Sequence, residues 1–311
     1  NPFSNNDIKK GIRVLKSKQL TLSKETRNFE KNFSKKLKSK YSLMVNSGSS
    51  ANLLALQCLI NPYRKKKLKQ GDEILIPTLC WSTSLWPIIQ SNLKPIFVDI
   101  NPTTLNIDEN EIEKKISKKT KAILLVHVLG NSCDMKKIMK IKKKYNLILI
   151  EDNCESLGSK YKNKYLGSFG DFSSFSFYYS HQVTSGEGGM IACKTKDDYL
   201  LLKALRAHGW DRDIQKERVN KKFNFINSGF NLRPLEISAA IGLNQFKRLS
   251  KMMSIRTYNR NKLIYFIKKS ENWEKQFSFF YPHKNLKPSW FGFPILLDAK
   301  YIKKKEKFLN F

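Results

Sequence analysis

Ala122-Ile123-Leu124-Leu125-Val126-His127, then a basic helical stretch from Met135 to Tyr145, then Leu147-Ile148-Leu149-Ile150-Glu151-Asp152 make a strand, a covering helix and a second strand. Both strands are almost wholly apolar, as strands covered on two faces are, so they belong to a parallel sheet between helices. Working outward, the same alternation continues on both sides. Ser42 to Asn46 is a short strand before a helix from about Ala51 to Ile60. Glu73 to Pro77 follows a Gly-Asp turn, Trp81 to Ser91 is helical and Pro95 to Ile100 is a strand. Phe172 to Phe177 and Gly189 to Cys193 add two strands, and Asp197 to His208 a helix. Pro234 to Met253 reads as one long helix leading to a second domain whose first strand is Phe291 to Leu297. The fold class is α/β: a mostly parallel sheet sandwiched by helices, plus a smaller C-terminal α+β domain. Residues 1–245 form an N-terminal arm and the large domain, and 246–311 the start of the small one. The chain has no initiator Met and stops inside a lysine-rich stretch, so it reads as a fragment with a truncated small domain.

The formal charge of +32, from 58 basic and 26 acidic residues, raises nucleic-acid binding as a class. Only ten of the basic residues are Arg, the side chain whose fork suits phosphate, and the lysines do not interleave with aromatics. A lysine-biased composition explains the charge, and no nucleic-acid partner is expected. No apolar run approaches the roughly 18 residues of a membrane span. The N-terminus lacks a secretory pattern. The five cysteines form no C-x-x-C pair. Together these features fit a reducing cytoplasm.

Three groups sit at predicted strand ends, where such sheets bind ligands. Asn46-Ser47-Gly48-Ser49-Ser50-Ala51-Asn52 opens a helix with exposed N–H groups, a phosphate site or simply a cap. Glu151-Asp152-Asn153-Cys154-Glu155 leaves a buried strand; Asp152 there can keep a pyridinium nitrogen protonated, or can cap a loop. The third runs Ser176-Phe177-Tyr178-Tyr179-Ser180-His181-Gln182-Val183-Thr184-Ser185-Gly186-Glu187-Gly188-Gly189-Met190.

That third string resembles the DegT/StrS sugar aminotransferases, pyridoxal-phosphate enzymes of fold type I (aspartate-aminotransferase-like). In that family a serine, four spacers and the cofactor lysine precede Thr-x-Gly-Glu-Gly-Gly-Met. Ser176 fits the serine and Thr184 to Met190 the tail, while His181 takes the lysine's place. The likeness runs from about Thr21 to Asn244 and returns at Pro288-Ser289-Trp290-Phe291-Gly292-Phe293-Pro294. It implies that Gly48, Ser49, Ser50 and Ser176 hold the cofactor phosphate, that Trp81 stacks on the ring and that Asp152 pairs with its nitrogen. It places Glu155 at the cofactor too, and implies that Asn231 reaches the phosphate of a neighbouring subunit in a homodimer with shared active sites. His208, in Arg206-Ala207-His208-Gly209-Trp210, borders the substrate side, with a structural role as the other reading.

Within the family, His at position 181 is similar to the sugar 3-dehydratases. One kind acts on GDP-4-keto-6-deoxymannose. The other acts on CDP-4-keto-6-deoxyglucose and carries a [2Fe–2S] cluster, for which no cysteine follows Cys193. Ser180 and Glu155, where aminotransferases more often have Gln, lean the same way. A lysine forms the Schiff base and shuttles the proton of transamination. Imidazole cannot form that stable base, but it can take a proton near neutral pH. The resemblance therefore implies a pyridoxal/pyridoxamine 5′-phosphate enzyme acting on a nucleotide-linked 4-keto-6-deoxy sugar. His181 would take a proton from C4′, the C3 hydroxyl would leave, and glutamate would be the amino donor. Such dehydration serves deoxysugar synthesis for lipopolysaccharide. The alternatives are an aminotransferase using Lys160, Lys162, Lys164 or Lys194, and a catalytically silent relative that binds a nucleotide-sugar.

Overall fold

The computed structural model describes residues 3–211, 224–273 and 275–309. In chain order the elements are α1 (Asn5–Ser17), α2 (Lys24–Leu37), β1 (Tyr41–Val45), α3 (Gly48–Leu59), β2 (Glu73–Pro77), α4 (Ser82–Gln90), β3 (Lys94–Val98), α5 (Ile112–Lys115) and β4 (Thr120–Val126). There follow α6 (Met135–Lys144), β5 (Ile148–Asp152), β6 (Lys160–Tyr161), β7 (Lys164–Tyr165), β8 (Phe172–Ser176), β9 (Gly189–Cys193), α7 (Lys196–Arg206), α8 (Glu236–Lys247), α9 (Leu249–Lys269), β10 (Phe277–Phe279), β11 (Leu286–Lys287) and β12 (Ile295–Leu297).

Seven strands form the main sheet in the order β1-β9-β8-β5-β4-β2-β3. β9 runs antiparallel to both its neighbours, and the remaining pairings are parallel. β2, β8 and β9 are buried along their whole length, which accounts for their apolar and small-residue sequences. One apolar layer fills the face covered by α3 and α7. A second lies under α6. In α6 Asp134 caps the first turn by accepting from Lys136 N and Lys137 N. Met135, Ile138 and Ile141 point inward, so the lysines of that helix face solvent. A third layer, built on Phe29, Phe33, Phe175, Phe177 and Phe246, seats α2 and α8 against the far end of the sheet.

Two expectations change. The helix foreseen over Pro234 to Met253 is two helices, because Arg248, at φ −93° and ψ 0°, ends α8 and begins α9. The strand foreseen over Phe291 to Leu297 starts only at Ile295, where β12 pairs antiparallel with β10. Phe291 is drawn away from that pairing: its N–H donates to Leu129 O at 3.2 Å, beside the parallel sheet. Gly130 makes the approach feasible. Its φ is +86°, and a Cβ there would lie 2.2 Å from Ser289 O.

Candidate active site

A cavity of about 580 Å³ opens where the parallel strands end, with residues following β1, β2, β4, β5 and β8 on its wall. Asp152, the last residue of β5, stands there almost fully buried. Three donors fix its carboxylate plane. Asn52 Nδ2 from α3 and Ser84 Oγ from α4 both reach Oδ2 at 2.7 Å, and Cys154 N reaches Oδ1 at 3.0 Å. Burial and the Asp152 charge push the Cys154 thiol up, so it stays neutral. Trp81 precedes α4 and is 71% exposed, its ring free at the rim.

Another part of the wall is built from the N-terminus of α3. Ser47 caps it by accepting from Ser50 N at 3.1 Å, and Ser47 Oγ donates to Ser50 Oγ at 2.9 Å. Gly48 lies against β8: a Cβ there would come within 2.6 Å of Ser176 Cβ and 2.8 Å of Cys154 Sγ. Ser49 donates to Thr83 Oγ1 at 2.9 Å, and Ser176 accepts from Tyr178 N at 3.3 Å. Free N–H groups at a helix start and two serine hydroxyls make a phosphate cradle.

His181 is on the same cavity wall, on the loop joining β8 to β9. Its Nδ1 is buried without a partner. Burial lowers its pKa and Asp152 raises it, while Arg256 lowers it further; the balance falls from 6.5 to about 4. The ring is therefore neutral and able to accept a proton at neutral pH. Glu155 moves the other way. Burial, opposed by the Leu129 N–H that donates to Oε2 at 2.7 Å, and the nearby Asp152 charge raise its carboxyl.

Gly48, Ser49, Trp81, Asp152, Glu155, Ser176 and His181 thus share one cavity. Ser50, Asn231 and His208 are not on its wall. Ser50 belongs to the α3 cap. Asn231 is exposed and accepts from Arg233 Nε at 3.0 Å, and His208, at φ 63°, faces Arg233 Nη2 at 3.3 Å. Sequence reasoning did not single out Asn52 and Ser84, which hold Asp152. Ser84 falls one helical turn after Trp81, the one signal that could have pointed to it. Among the described residues no lysine reaches the cavity wall. Lys160 lies over Tyr165, Lys164 lies over Phe169, and Lys194 donates to Phe169 O.

An acid locked by three donors, an anion cradle at a helix start and an exposed aromatic ring on one cavity wall suit a phosphorylated pyridine, and the fold and this site define a pyridoxal-phosphate enzyme of fold type I. The chain belongs to the DegT/DnrJ/EryC1/StrS aminotransferase family, whose profile matches residues 3–311. It is 38% identical, over 94% of its length, to a GDP-4-keto-6-deoxy-D-mannose 3-dehydratase of Escherichia coli O55:H7, and spans 76% of that protein. A protein of the same name from Yersinia pseudotuberculosis is 36% identical over 92% of the chain, which spans 73% of it. A solved GDP-4-keto-6-deoxymannose-3-dehydratase with a trapped PLP-glutamate geminal diamine superposes with a TM-score of 0.90 at 37% identity, covering 99% of this chain and 81% of that one.

Proposed function

We propose that this chain is a nucleotide-sugar 3-dehydratase, removing the C3 hydroxyl of a nucleotide-linked 4-keto-6-deoxyhexose in deoxysugar synthesis. The nucleotide is GDP in the named relatives. The observation that carries this reading is His181 on the cavity wall, with no lysine beside it among the described residues. When bound as its amine, pyridoxamine phosphate supplies a nitrogen that condenses with a ketone and a protonated ring that draws electrons. Asp152, locked by Asn52, Ser84 and the Cys154 N–H, holds the proton on the ring nitrogen. Gly48, Ser49 and Ser176 bind the phosphate with the α3 N-terminus, and Trp81 covers the ring. His181, neutral and partly dry, takes up the proton whose removal starts the loss of the hydroxyl. Glu155, anchored on Leu129 N, would contact the cofactor from the same cavity wall.

Glutamate is the proposed amino donor, in keeping with the adduct in the solved relative. The working unit is proposed to be a homodimer, with Asn231 turned to the neighbour's phosphate. Its exposure and its absence from the wall of its own cavity support that role. The boundary between the large domain (1–245) and the small one (246–311) is proposed to fall near the end of α8, just before the break at Arg248. Among the described residues no helix is long and apolar enough to cross a membrane, and a cytoplasmic site of action is proposed.

The test is borohydride reduction with pyridoxal phosphate, followed by intact mass. No covalent adduct, together with a glutamate-driven shift of the cofactor absorbance to the amine form, is the expected result. A stoichiometric adduct on a lysine would overturn the reading in favour of an aminotransferase.

A further inference from the structure

The surroundings of His181 come from a segment distant in sequence. The Phe291 ring packs edge-on against the imidazole, with centroids 5.0 Å apart and planes at 67°. Phe291 lies outside any strand and is held from two sides. Its N–H donates to Leu129 O, and Arg256 of α9 donates from Nη1 to Phe291 O at 2.9 Å and Trp290 O at 3.2 Å. One turn further along α9, Arg260 donates to Phe280 O and lies 4.1 Å from the Trp290 ring centroid. The helix therefore grips this segment at two points.

Arg256 is half-buried and is put to an unusual use. Arg206 and Arg248 pair with Glu30 and Asp7. Among the described residues no carboxylate stands within ion-pair distance of Arg256, and its bonds go to main-chain carbonyls. A guanidinium so placed fixes geometry while keeping its full charge.

We propose that Arg256 is a positioning residue for the reaction base: it pins the Phe291 ring against His181, keeping the imidazole dry and in one orientation. This rests on the reading of His181 as base. The titratable groups around the ring are Asp152 on β5, Glu155 and Cys154 just after it, Cys80 after β2, Tyr178 and Glu187 on the β8–β9 loop, and Arg256 on α9. Asp152 favours the imidazolium. Burial and Arg256 oppose it more strongly, and Phe291 is part of that burial. Releasing Phe291 would admit water and let the ring protonate near its ordinary value.

The experiment is an NMR titration of protein loaded with pyridoxal phosphate and carrying 13Cε1-labelled histidine. The chain has four histidines, and His181→Asn assigns the wanted resonance. Arg256→Gln is expected to raise the His181 pKa by roughly one unit or more. Phe291→Leu, which leaves the guanidinium in place, should raise it as well, and the double variant should shift it by less than the sum. A merely structural Arg256 would lower the melting temperature without moving this resonance, which would overturn the proposal. A shift in Arg256→Gln with none in Phe291→Leu would also overturn it, because the arginine would then act through charge alone. If Arg256→Gln does not fold, Phe291→Leu decides the matter. Failure of the base itself is distinguishable: His181→Asn would keep its activity while these shifts persisted.

Discussion

Asn52 and Ser84 reach the same oxygen of Asp152 from two different helices, so the plane of that carboxylate is settled before any ligand arrives. A hydrogen bond to a charged group contributes about 1.5–3 kcal/mol, so Ser84→Ala should weaken cofactor binding roughly tenfold or more. An absorbance titration with pyridoxal phosphate measures this, and unchanged affinity would show the serine to be idle. His181→Asn keeps the size of the ring's polar end but not its basicity. It should lower kcat by roughly 10²- to 10⁴-fold, the range of general-base effects, with sugar binding retained in calorimetry. Asp152, Ser176 and His181 could be read in the sequence because each lies in a local string with fixed spacing. Asn52, Ser84 and the Arg256 grip on Phe291 could not. Their partners are brought together only by the packing of α3, α4 and α9, and no local pattern records that.

At the scale of elements, buried carboxylates tie together pieces that local sequence leaves loose. Ser23 stands at the N-cap of α2 but makes no side-chain cap bond. Glu236 of α8 does the capping instead, accepting from Ser23 N at 2.8 Å, Glu25 N at 2.7 Å and Thr26 N at 2.9 Å. A negative charge at a helix start, buried and accepting from three main-chain N–H groups and the Thr26 hydroxyl, combines a cap with a dipole interaction. Glu236→Gln should cost about 2 kcal/mol and first lower hydrogen-exchange protection in α2, leaving β4 and β5 unaffected. Glu151 does the same for the turn before β8. Its side chain takes the N–H groups of Gly167, Phe169 and Gly170, with His127 Nε2 at 3.1 Å. Burial works against its charge, but these partners outweigh it and hold the carboxyl below its ordinary 4.5. A carboxyl depressed on folding contributes stability above its unfolded pKa, which is lost as pH falls through the folded value. Glu151→Gln puts an amide nitrogen against N–H donors, so it should cost about 3 kcal/mol at neutral pH. The gap to wild type in urea midpoint should narrow as pH falls below the ordinary 4.5 and through the lowered folded value. The seven strands of the main sheet were readable from their apolar and small-residue runs, but the short β6, β7, β10 and β11 were not. The break at Arg248 was not, since neither Gly nor Pro marks it and its guanidinium answers to Asp7, at the far end of the chain.

For the whole molecule, the question is whether one chain completes its own site. Trp81, Trp86, Leu79 and Phe97 leave large apolar surface exposed around α4 and the neighbouring strand ends. Surface of that kind beside a ligand cavity suits a symmetric contact with a second copy. Asn231 supports the same arrangement, being exposed and off the wall of its own cavity. If its side chain serves the partner's phosphate, each site draws His181 from one chain and Asn231 from the other. Asn231→Asp would set a carboxylate against that phosphate and abolish activity, as His181→Asn would by removing the base. In a mixed dimer of these two variants both defects fall in one site, and the other site is intact. Unfolding and refolding an equal mixture should therefore restore about a quarter of wild-type activity, because half the dimers are mixed and one of their two sites works. If Asn231 acts within its own chain, every site in every dimer keeps a defect, and refolding the mixture restores nothing. The mixing experiment thus separates a shared site from a self-contained one without needing the interface itself to be mapped.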